Sequence, residues 1–220
     1  MHPAGNAFLA LAVAATLAGC SVGIPDPAAP AAAPATPTLA TPTVTPGHDS
    51  AAVAAKDMPF AAGDTLAAGV PVQLSDGLRE SPGWEPGKQD VAGGSEYVKT
   101  DGCVAWARVR TNQGALAVRG DDSASTAALF QYLDPSILPS YLTTDTLPWG
   151  GAAGQPGARV EVLVLVSRAS AGAPANAIYA RMFSKAGSSV YISVSCPDAA
   201  TLAAARADVG ARLAAVPPAD

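Results

Sequence analysis

Histidine and cysteine are scarce in this 220-residue chain, and their absence narrows the chemistry that it can support. Its two histidines are His2 and His48, and its three cysteines are Cys20, Cys103 and Cys196. The region from residue 70 onward has no histidine. That excludes Ser-His-Asp and Cys-His catalytic sets within it and removes the commonest metal ligand. We therefore predict neither a metal site nor a cofactor.

Charged residues are also few: they make up 14% of the chain, against about a quarter in typical globular domains. The formal net charge is −5 and no run of like charge exists. A nucleic-acid-binding domain needs a basic patch, so we expect no nucleic acid partner. The chain has no Gly-x-Ser-x-Gly elbow and no Ser-x-x-Lys motif. We predict that it is not an enzyme.

The one long apolar run lies at the N-terminus, where residues 8–17 read FLALAVAATL. Ten residues suit the apolar part of a signal peptide and are too short for a membrane-spanning helix. The Leu17-Ala18-Gly19-Cys20 segment that follows resembles the lipobox of bacterial lipoproteins. The resemblance implies a signal peptide over 1–19, a diacylglycerol on the Cys20 sulfur, and anchorage at the extracytoplasmic face of the cell membrane. A plain secretory signal with an incidental cysteine is the alternative.

A segment rich in Pro, Ala and Thr follows Cys20 and has no apolar periodicity. Such a segment buries too little apolar surface to offset its chain entropy. We predict a disordered tether over residues 20–62. About 40 residues at roughly 3.1 Å each reach on the order of 100 Å. An inert spacer is favoured over an O-glycosylated stalk.

Residues 70–216 carry the patterns of a folded domain, and 217–220 are expected to form a tail. Strands are predicted from short β-rich or alternating runs at 70–74, 95–100, 103–110, 160–166, 177–184 and 189–195. Two helices are predicted, one capped by Asp121-Asp122-Ser123 and ending before Pro135, the other running from Asp198 to about Ala215. Residues 77–94 and 136–157, rich in Pro and Gly, are predicted loops. The pattern indicates one α+β domain: a mainly antiparallel sheet of five to six strands with two main helices packed on it.

Cys103 and Cys196 remain as an even pair once Cys20 is assigned to lipid. In an oxidising compartment we predict a disulfide between them. It would close a loop of roughly 90 residues, worth about 4–5 kcal/mol in the chain-entropy model. Two free thiols or a metal pair are the alternatives, and two ligands without a histidine make a poor zinc site.

Three tryptophans are candidates for ligand binding. Trp84 and Trp149 lie in the two predicted loops, and Trp106 lies on a strand with Arg108 and Arg110 on the same face. An exposed tryptophan is a frequent contact for a ligand or partner, and the two arginines would suit an anion. For the tryptophans, the alternative is a structural role at the edge of the core. For the two arginines, it is a solvated position at the edge of the sheet.

Glu161 is the one acidic residue in the apolar run VEVLVLV. Burial would raise the pKa of its carboxyl, whereas a position near the strand end, or a pairing with Arg159 or a neighbouring arginine, would leave it ordinary. A carboxylate-dependent hydrolase acting on cell-envelope polymer is therefore the alternative function. It requires two carboxylates in a cleft, about 5–10 Å apart for glycoside cleavage.

In element order, residues 95–215 resemble the PsbP-like domains of mycobacterial lipoproteins: a strand pair leading into Asp121-Asp122-Ser123, a helix, three strands and a closing helix. With the lipobox and the Pro/Thr-rich stalk, the chain resembles an actinobacterial envelope lipoprotein. The resemblance implies a non-enzymatic role in binding or assembly. We predict a membrane-anchored binding or accessory module for a lipid, an envelope component or a protein partner. Its expected partners are the membrane, through Cys20, and an envelope protein or small apolar ligand.

Overall fold

The computed structural model describes residues 49–150, 157–170 and 172–218. The predicted signal peptide, Cys20 and the tether as far as residue 48 lie outside the described residues. Within those ranges, no helix is long and apolar enough to cross a membrane.

The domain is α+β, as predicted, and is built on an antiparallel sheet. The strands are β1 (Gln73–Leu74), β2 (Trp84–Pro86), β3 (Gly94–Lys99), β4 (Val104–Arg110), β5 (Thr143–Pro148), β6 (Arg159–Ser167), β7 (Ala175–Phe183), β8 (Ser188–Cys196) and β9 (Ala215–Val216). The α-helices are α1 (Ser50–Ala54), α2 (Asp122–Leu133) and α3 (Ala199–Arg212), and 3-10 turns cover Phe60–Thr65, Gly77–Glu80, Gly114–Leu116 and Pro139–Tyr141. Seven strands form the main sheet in the order β2-β3-β4-β8-β7-β6-β5, and β1 pairs with β9 separately.

Two of the seven strands fall in segments that the sequence predicts as loops. β2 and β5 are the two edges of the main sheet. β2 has only three residues and ends in Pro86, which an edge tolerates because one side of the strand makes no ladder hydrogen bonds. β5 reads TTDTLP, with Thr143 and Thr144 exposed, Asp145 and Thr146 half-buried, and only Leu147 and Pro148 buried. Edge strands lack the apolar alternation that identifies inner strands, and for this reason the expected five to six strands are too few.

The two long helices cover opposite faces of the sheet. α2 is capped by Asp121, whose side chain accepts from the Ala124 N–H, and it packs on β7 and β6. α3 is capped by Asp198, which forms a capping box with Thr201, and it packs on β8, β5 and β7. α3 ends at Arg212, earlier than predicted, because Ala215–Val216 pairs with β1 as β9.

The larger core lies on the α3 side of the sheet. Every second residue of β8 points into it: Val190, Ile192, Val194 and Cys196. β6 is covered on both faces as predicted, since Val164 belongs to this core and Leu163 to the smaller core under α2.

The predicted disulfide between Cys103 and Cys196 is present and buried. It joins the residue before β4 to the last residue of the neighbouring β8 and closes a loop of 93 residues. Since Cys196 lies just before α3, the bond also fixes the start of that helix to the sheet.

The folded body begins earlier than residue 70, which corrects the predicted boundary of the tether. α1, Met58 and the 3-10 turn Phe60–Thr65 lie against the domain. The Met58 N–H donates to the carbonyl of Arg159, and the Glu161 N–H donates to the carbonyl of Met58. Met58 thereby occupies the part of β6 that β7 does not reach, since β6 pairs with β7 only from Leu163 onward. We call residues 49–66 the N-terminal strap.

The predicted C-terminal tail is also shorter than expected. Pro217 and Pro218 are buried, so the body extends at least to residue 218. Residues 219–220 lie outside the described residues.

Candidate functional site

Two of the three candidate tryptophans are part of the core. Trp149 is fully buried, donates from Nε1 to the carbonyl of Val53 at 3.0 Å and stacks on Phe183. Trp84 is 4% exposed and donates to Asp208 Oδ2 on α3 at 2.9 Å. Both side chains hold elements together, and their surfaces are not free to meet a ligand.

Trp106 lies on β4 in a different setting, at the part of the sheet that α2 leaves uncovered. Arg108 and Arg110 share its face, as predicted. Across the ladder they lie opposite β8: Trp106 faces Ser193, Arg108 faces Tyr191 and Arg110 faces Ser189. Directly opposed residues of antiparallel strands have their Cβ atoms about 4.5–5.5 Å apart, so these pairs share one surface patch.

These side chains line a groove of about 240 Å³ between the sheet and α2. We call it the basic groove, and its lining residues are Trp106, Arg108, Arg110, Leu129, Leu133, Ser189, Tyr191 and Ser193. The sheet contributes the cations, aromatic rings and hydroxyls, whereas α2 contributes the two leucines. The groove is therefore polar on its floor and apolar along one wall.

A glycine on β3 allows the indole of Trp106 to lie across the sheet. Gly94 is opposite Arg108, and a Cβ at Gly94 would come within 2.8–2.9 Å of three atoms of the Trp106 ring system. The guanidinium of Arg108 lies 5.6 Å from the centroid of that ring, within the range of a cation–π contact. Trp106 and Arg108 thus support each other at one end of the groove.

Two buried polar atoms of the groove have no hydrogen-bond partner in the described part of the chain: Arg108 Nε and Ser189 Oγ. Ser189 is only 1% exposed. Buried polar groups are nearly always paired, because an unmade hydrogen bond leaves the desolvation cost of the group uncompensated, about 1–3 kcal/mol. Neither Arg108 nor Arg110 forms an ion pair with any described residue.

Tyr191 adds a hydroxyl to the groove. Burial raises its pKa, and the hydrogen bond to Ser193 and the charges of Arg110 and Arg108 oppose that shift. The phenol is therefore neutral at physiological pH and is available as a hydrogen-bond donor.

No carboxylate is among the described residues that line the basic groove. Glu96 is opposite Trp106 on the same face of the sheet. Its carboxylate, however, accepts from the N–H of Lys88, which follows β2 on the side of β3 away from β4. The positive charge of the groove is therefore not neutralised by an adjacent acid.

Arg181 shows what a satisfied buried arginine looks like in this fold. It is fully buried and pairs with Asp122 at 2.7 Å, while its remaining donors reach the carbonyls of Met58, Pro59 and Glu161. Burial lowers the pKa of Arg181, and the charge of Asp122 opposes that shift. Arg181 has a structural role; Arg108 differs from it in having an unmade hydrogen bond.

Glu161 does not stand alone in the apolar strand. It is half-buried, and its carboxylate accepts from the Phe60 N–H at 2.8 Å. A backbone group of the N-terminal strap is thus its partner, and among the described residues neither Arg159 nor another arginine forms an ion pair with it, contrary to the arginine pairings considered from the sequence.

A cleft at the N-terminal strap is lined by two carboxylates, Asp49 and Asp57, and each accepts from a backbone N–H, that of Ala52 and that of Arg159. Two further clefts have one carboxylate each among their described lining residues. Asp145 is the single carboxylate among the described residues lining the cleft under α3, and it pairs with Arg206 at 3.3 Å. A larger cleft of about 580 Å³ has Asp64 as its single carboxylate, and its Lys185 donates to the Asp64 carbonyl. Among the residues that the structure describes, no group of three His, Cys, Asp or Glu side chains is arranged to hold a metal ion.

Comparison with known proteins adds no family to this description. No protein-family model matches the chain, and no curated protein matches it significantly.

The sequence predicts the two strand faces that form the floor of the basic groove. Alternation along 104–110 places Trp106, Arg108 and Arg110 together, and alternation along 189–195 places Ser189, Tyr191 and Ser193 opposite the core-facing valines. Neither pattern says that β4 and β8 are neighbours, so the convergence of the two sets is visible only in the structure.

Proposed function

We propose that this protein is a lipid-anchored module of the bacterial cell envelope that binds its ligand in the basic groove without catalysing a reaction. The observation that carries the binding role is the pair of unpartnered buried atoms, Arg108 Nε and Ser189 Oγ, beside two arginines without ion pairs. Unpartnered buried donors and unpaired arginines lower the stability of the folded protein, so we infer that they are present because they bind a ligand.

The side chains of the groove support binding rather than catalysis. At neutral pH they offer hydrogen-bond donors, positive charge and apolar surface, and they include no carboxylate, thiol or imidazole to act as a base or nucleophile. Such a set of groups can hold an electron-rich ligand, and its three hydroxyls have no carboxylate, imidazole or amine beside them among the lining residues to act as a base.

The N-terminal segment supports the location. The lipobox at Leu17–Cys20 and the Pro/Thr-rich segment after it suit a domain held away from the outer face of the membrane. Each buried methylene of an acyl chain is worth about 0.8 kcal/mol, and two or more chains make a stable anchor. The resemblance in element order to PsbP-like domains also favours a binding or assembly role.

One preparation tests both parts of the proposal. The full chain is extracted from the envelope of its own host under native conditions, and intact-mass and N-terminal peptide spectra are recorded. We expect a diacylglyceryl group on Cys20, and a non-covalent mass that is retained by the wild type and lost in Arg108→Ala. The matched control is Arg119→Ala, which removes an exposed arginine outside the groove.

Either part of the proposal can fail separately. A mature N-terminus without lipid contradicts the anchor, and Cys20→Ser should then leave the membrane fraction of the protein unchanged. A chain that carries no ligand from the envelope, and that binds none from an envelope extract, contradicts the binding role.

A further inference from the structure

We infer that the basic groove is specific for a small amphipathic organic anion, whose oxyanion is held by Arg108 and Ser189 and whose apolar part lies against Trp106 and α2. The inference rests on the proposed binding role and names the chemical class of the ligand. The shared headgroup chemistry is a carboxylate or a phosphate ester.

The charge of the ligand follows from the unpaired donors. Arg108 and Arg110 are next-but-one neighbours on β4, so their side chains leave the same face about 7 Å apart. Arg108 Nε and the Ser189 hydroxyl are both buried and lack acceptors. A guanidinium offers donors in a fork that matches carboxylate and phosphate oxygens. An oxyanion would therefore complete these hydrogen bonds and reduce the repulsion between the two arginines.

The apolar part of the ligand follows from the walls. Leu129 and Leu133 of α2 form one wall, and the indole of Trp106 on β4 lines the groove as well. Leu133 is 38% exposed although it belongs to this wall. A ligand with an alkyl or ring portion would cover that surface, whereas a bare inorganic ion would leave it in water.

The size of the groove limits what enters it. About 240 Å³ lies just below the range of roughly 300–1000 Å³ for pockets that enclose drug-sized ligands. The groove thus admits a small acid, or one end of a larger molecule whose remainder extends into solvent.

The test is calorimetric titration of the mature polypeptide without its lipid, because detergent would compete for an amphipathic site. The probes are hexyl phosphate and hexanoate. Three matched comparisons accompany them: inorganic phosphate lacks the alkyl chain, hexanol lacks the charge, and hexylammonium carries a positive charge instead of a negative one. Hexyl phosphate and hexanoate should bind more tightly than all three comparisons. Anionic and zwitterionic phospholipid vesicles form a second series, which separates a membrane headgroup from a free acid.

Two variants locate the binding. A hydrogen bond to a charged group corresponds to about a tenfold to hundredfold change in affinity, so Arg108→Ala and Ser189→Ala should each weaken hexyl phosphate binding by that factor. Arg119→Ala should leave it unchanged. Ser189→Ala should keep or raise the unfolding temperature, because it removes a buried hydroxyl that has no partner to lose.

The inference is wrong if hexanol or inorganic phosphate binds as tightly as hexyl phosphate, if none of the probes binds, or if binding survives both groove variants. A lower unfolding temperature in Ser189→Ala also contradicts it, because the hydroxyl would then have a structural partner such as water. If the envelope-derived chain carries a neutral ligand in the groove while the anionic probes fail, the proposed binding role stands and this inference alone is overturned.

Discussion

Arg181 and Asp122 are the two most deeply buried charges among the described residues, with side chains 0% and 1% exposed. Asp122 Oδ1 also accepts from the backbone N–H and the hydroxyl of Ser184. Gly63 of the strap lies directly over this carboxylate, where any Cβ would overlap it. The ion pair therefore connects α2, β7 and the strap at one point, and removing one partner leaves an uncompensated buried charge.

The first prediction contrasts this pair with an exposed one. Asp122→Asn keeps the size of the side chain, removes its charge, and should lower the free energy of unfolding by about 3–5 kcal/mol. Asp76→Asn affects the exposed Arg79–Asp76 pair, whose atoms are 4.0 Å apart, and should change it by about 0–1 kcal/mol. Urea denaturation of the two variants measures both values. If both variants lose the same free energy of unfolding, the buried Arg181–Asp122 pair contributes no more to stability than the exposed pair does.

At the scale of elements, α3 is held to the sheet by several separate interactions. The disulfide joins β4 to β8 directly before α3, and Asp198 caps that helix by accepting from the N–H groups of Ala200 and Thr201. Trp84 and Lys99 both reach Asp208 on the same helix. The helix is thus held at its start by the cap and the disulfide, and in its C-terminal half by Asp208.

The second prediction concerns the disulfide. The double variant Cys103→Ala/Cys196→Ala should lose about 4–5 kcal/mol of stability in the chain-entropy model, given the long loop that the bond closes. Guanidinium denaturation measures the loss, and the wild type unfolded in the presence of a reducing agent is the control. If reduction leaves the midpoint of the wild type unchanged, the bond does not contribute to stability.

The third prediction concerns the pH dependence of the α3 cap. The hydrogen bond from the Thr201 N–H is the main cause that lowers the pKa of Asp198 below its ordinary value. A carboxyl with a lowered folded-state pKa stabilises the fold above its unfolded pKa, and that contribution is lost as the pH falls through the folded value. Asp198→Ala should therefore lower the unfolding temperature at pH 7, and the difference from wild type should shrink as the pH falls toward 3. Glu80→Ala, which removes an exposed carboxylate that has no ion pair among the described residues, should show no such convergence; a constant difference in Asp198→Ala would contradict the prediction.

At the scale of the whole molecule, the N-terminal strap completes the sheet. Met58 and Leu66 are buried in the larger core, and the carbonyls of Met58 and Pro59 accept two of the hydrogen bonds of Arg181. A domain without the strap would expose apolar core and leave a buried guanidinium short of acceptors.

The fourth prediction compares three chain lengths. A chain beginning at Asp49 should unfold at the same temperature as one beginning at Ser21. A chain beginning at Val70 should be destabilised by several kcal/mol, since burial of one Met or Leu side chain is worth about 1.5–3 kcal/mol. Thermal unfolding followed by circular dichroism measures all three. If the chain from Val70 matches the longer ones, the strap is an accessory segment and the body begins where the sequence predicts.

The sequence alone determines the features that depend on neighbouring residues. The caps at Asp121 and Asp198 are readable because a capping side chain bonds the backbone two or three residues further on. The faces of β4 and β8 are readable because strand side chains alternate. The α+β class and the disulfide follow from these elements and from the cysteine count.

Only the tertiary structure decides which elements meet. β2 and β5 escape prediction because edge strands need no apolar alternation, and the strap escapes it because its burial comes from β6 and Arg181, more than a hundred residues away. The basic groove has the same origin. Each strand encodes its own face by local periodicity, but pairing β4 with β8 depends on the packing of the entire sheet, and that pairing brings Arg108 and Ser189 to one site.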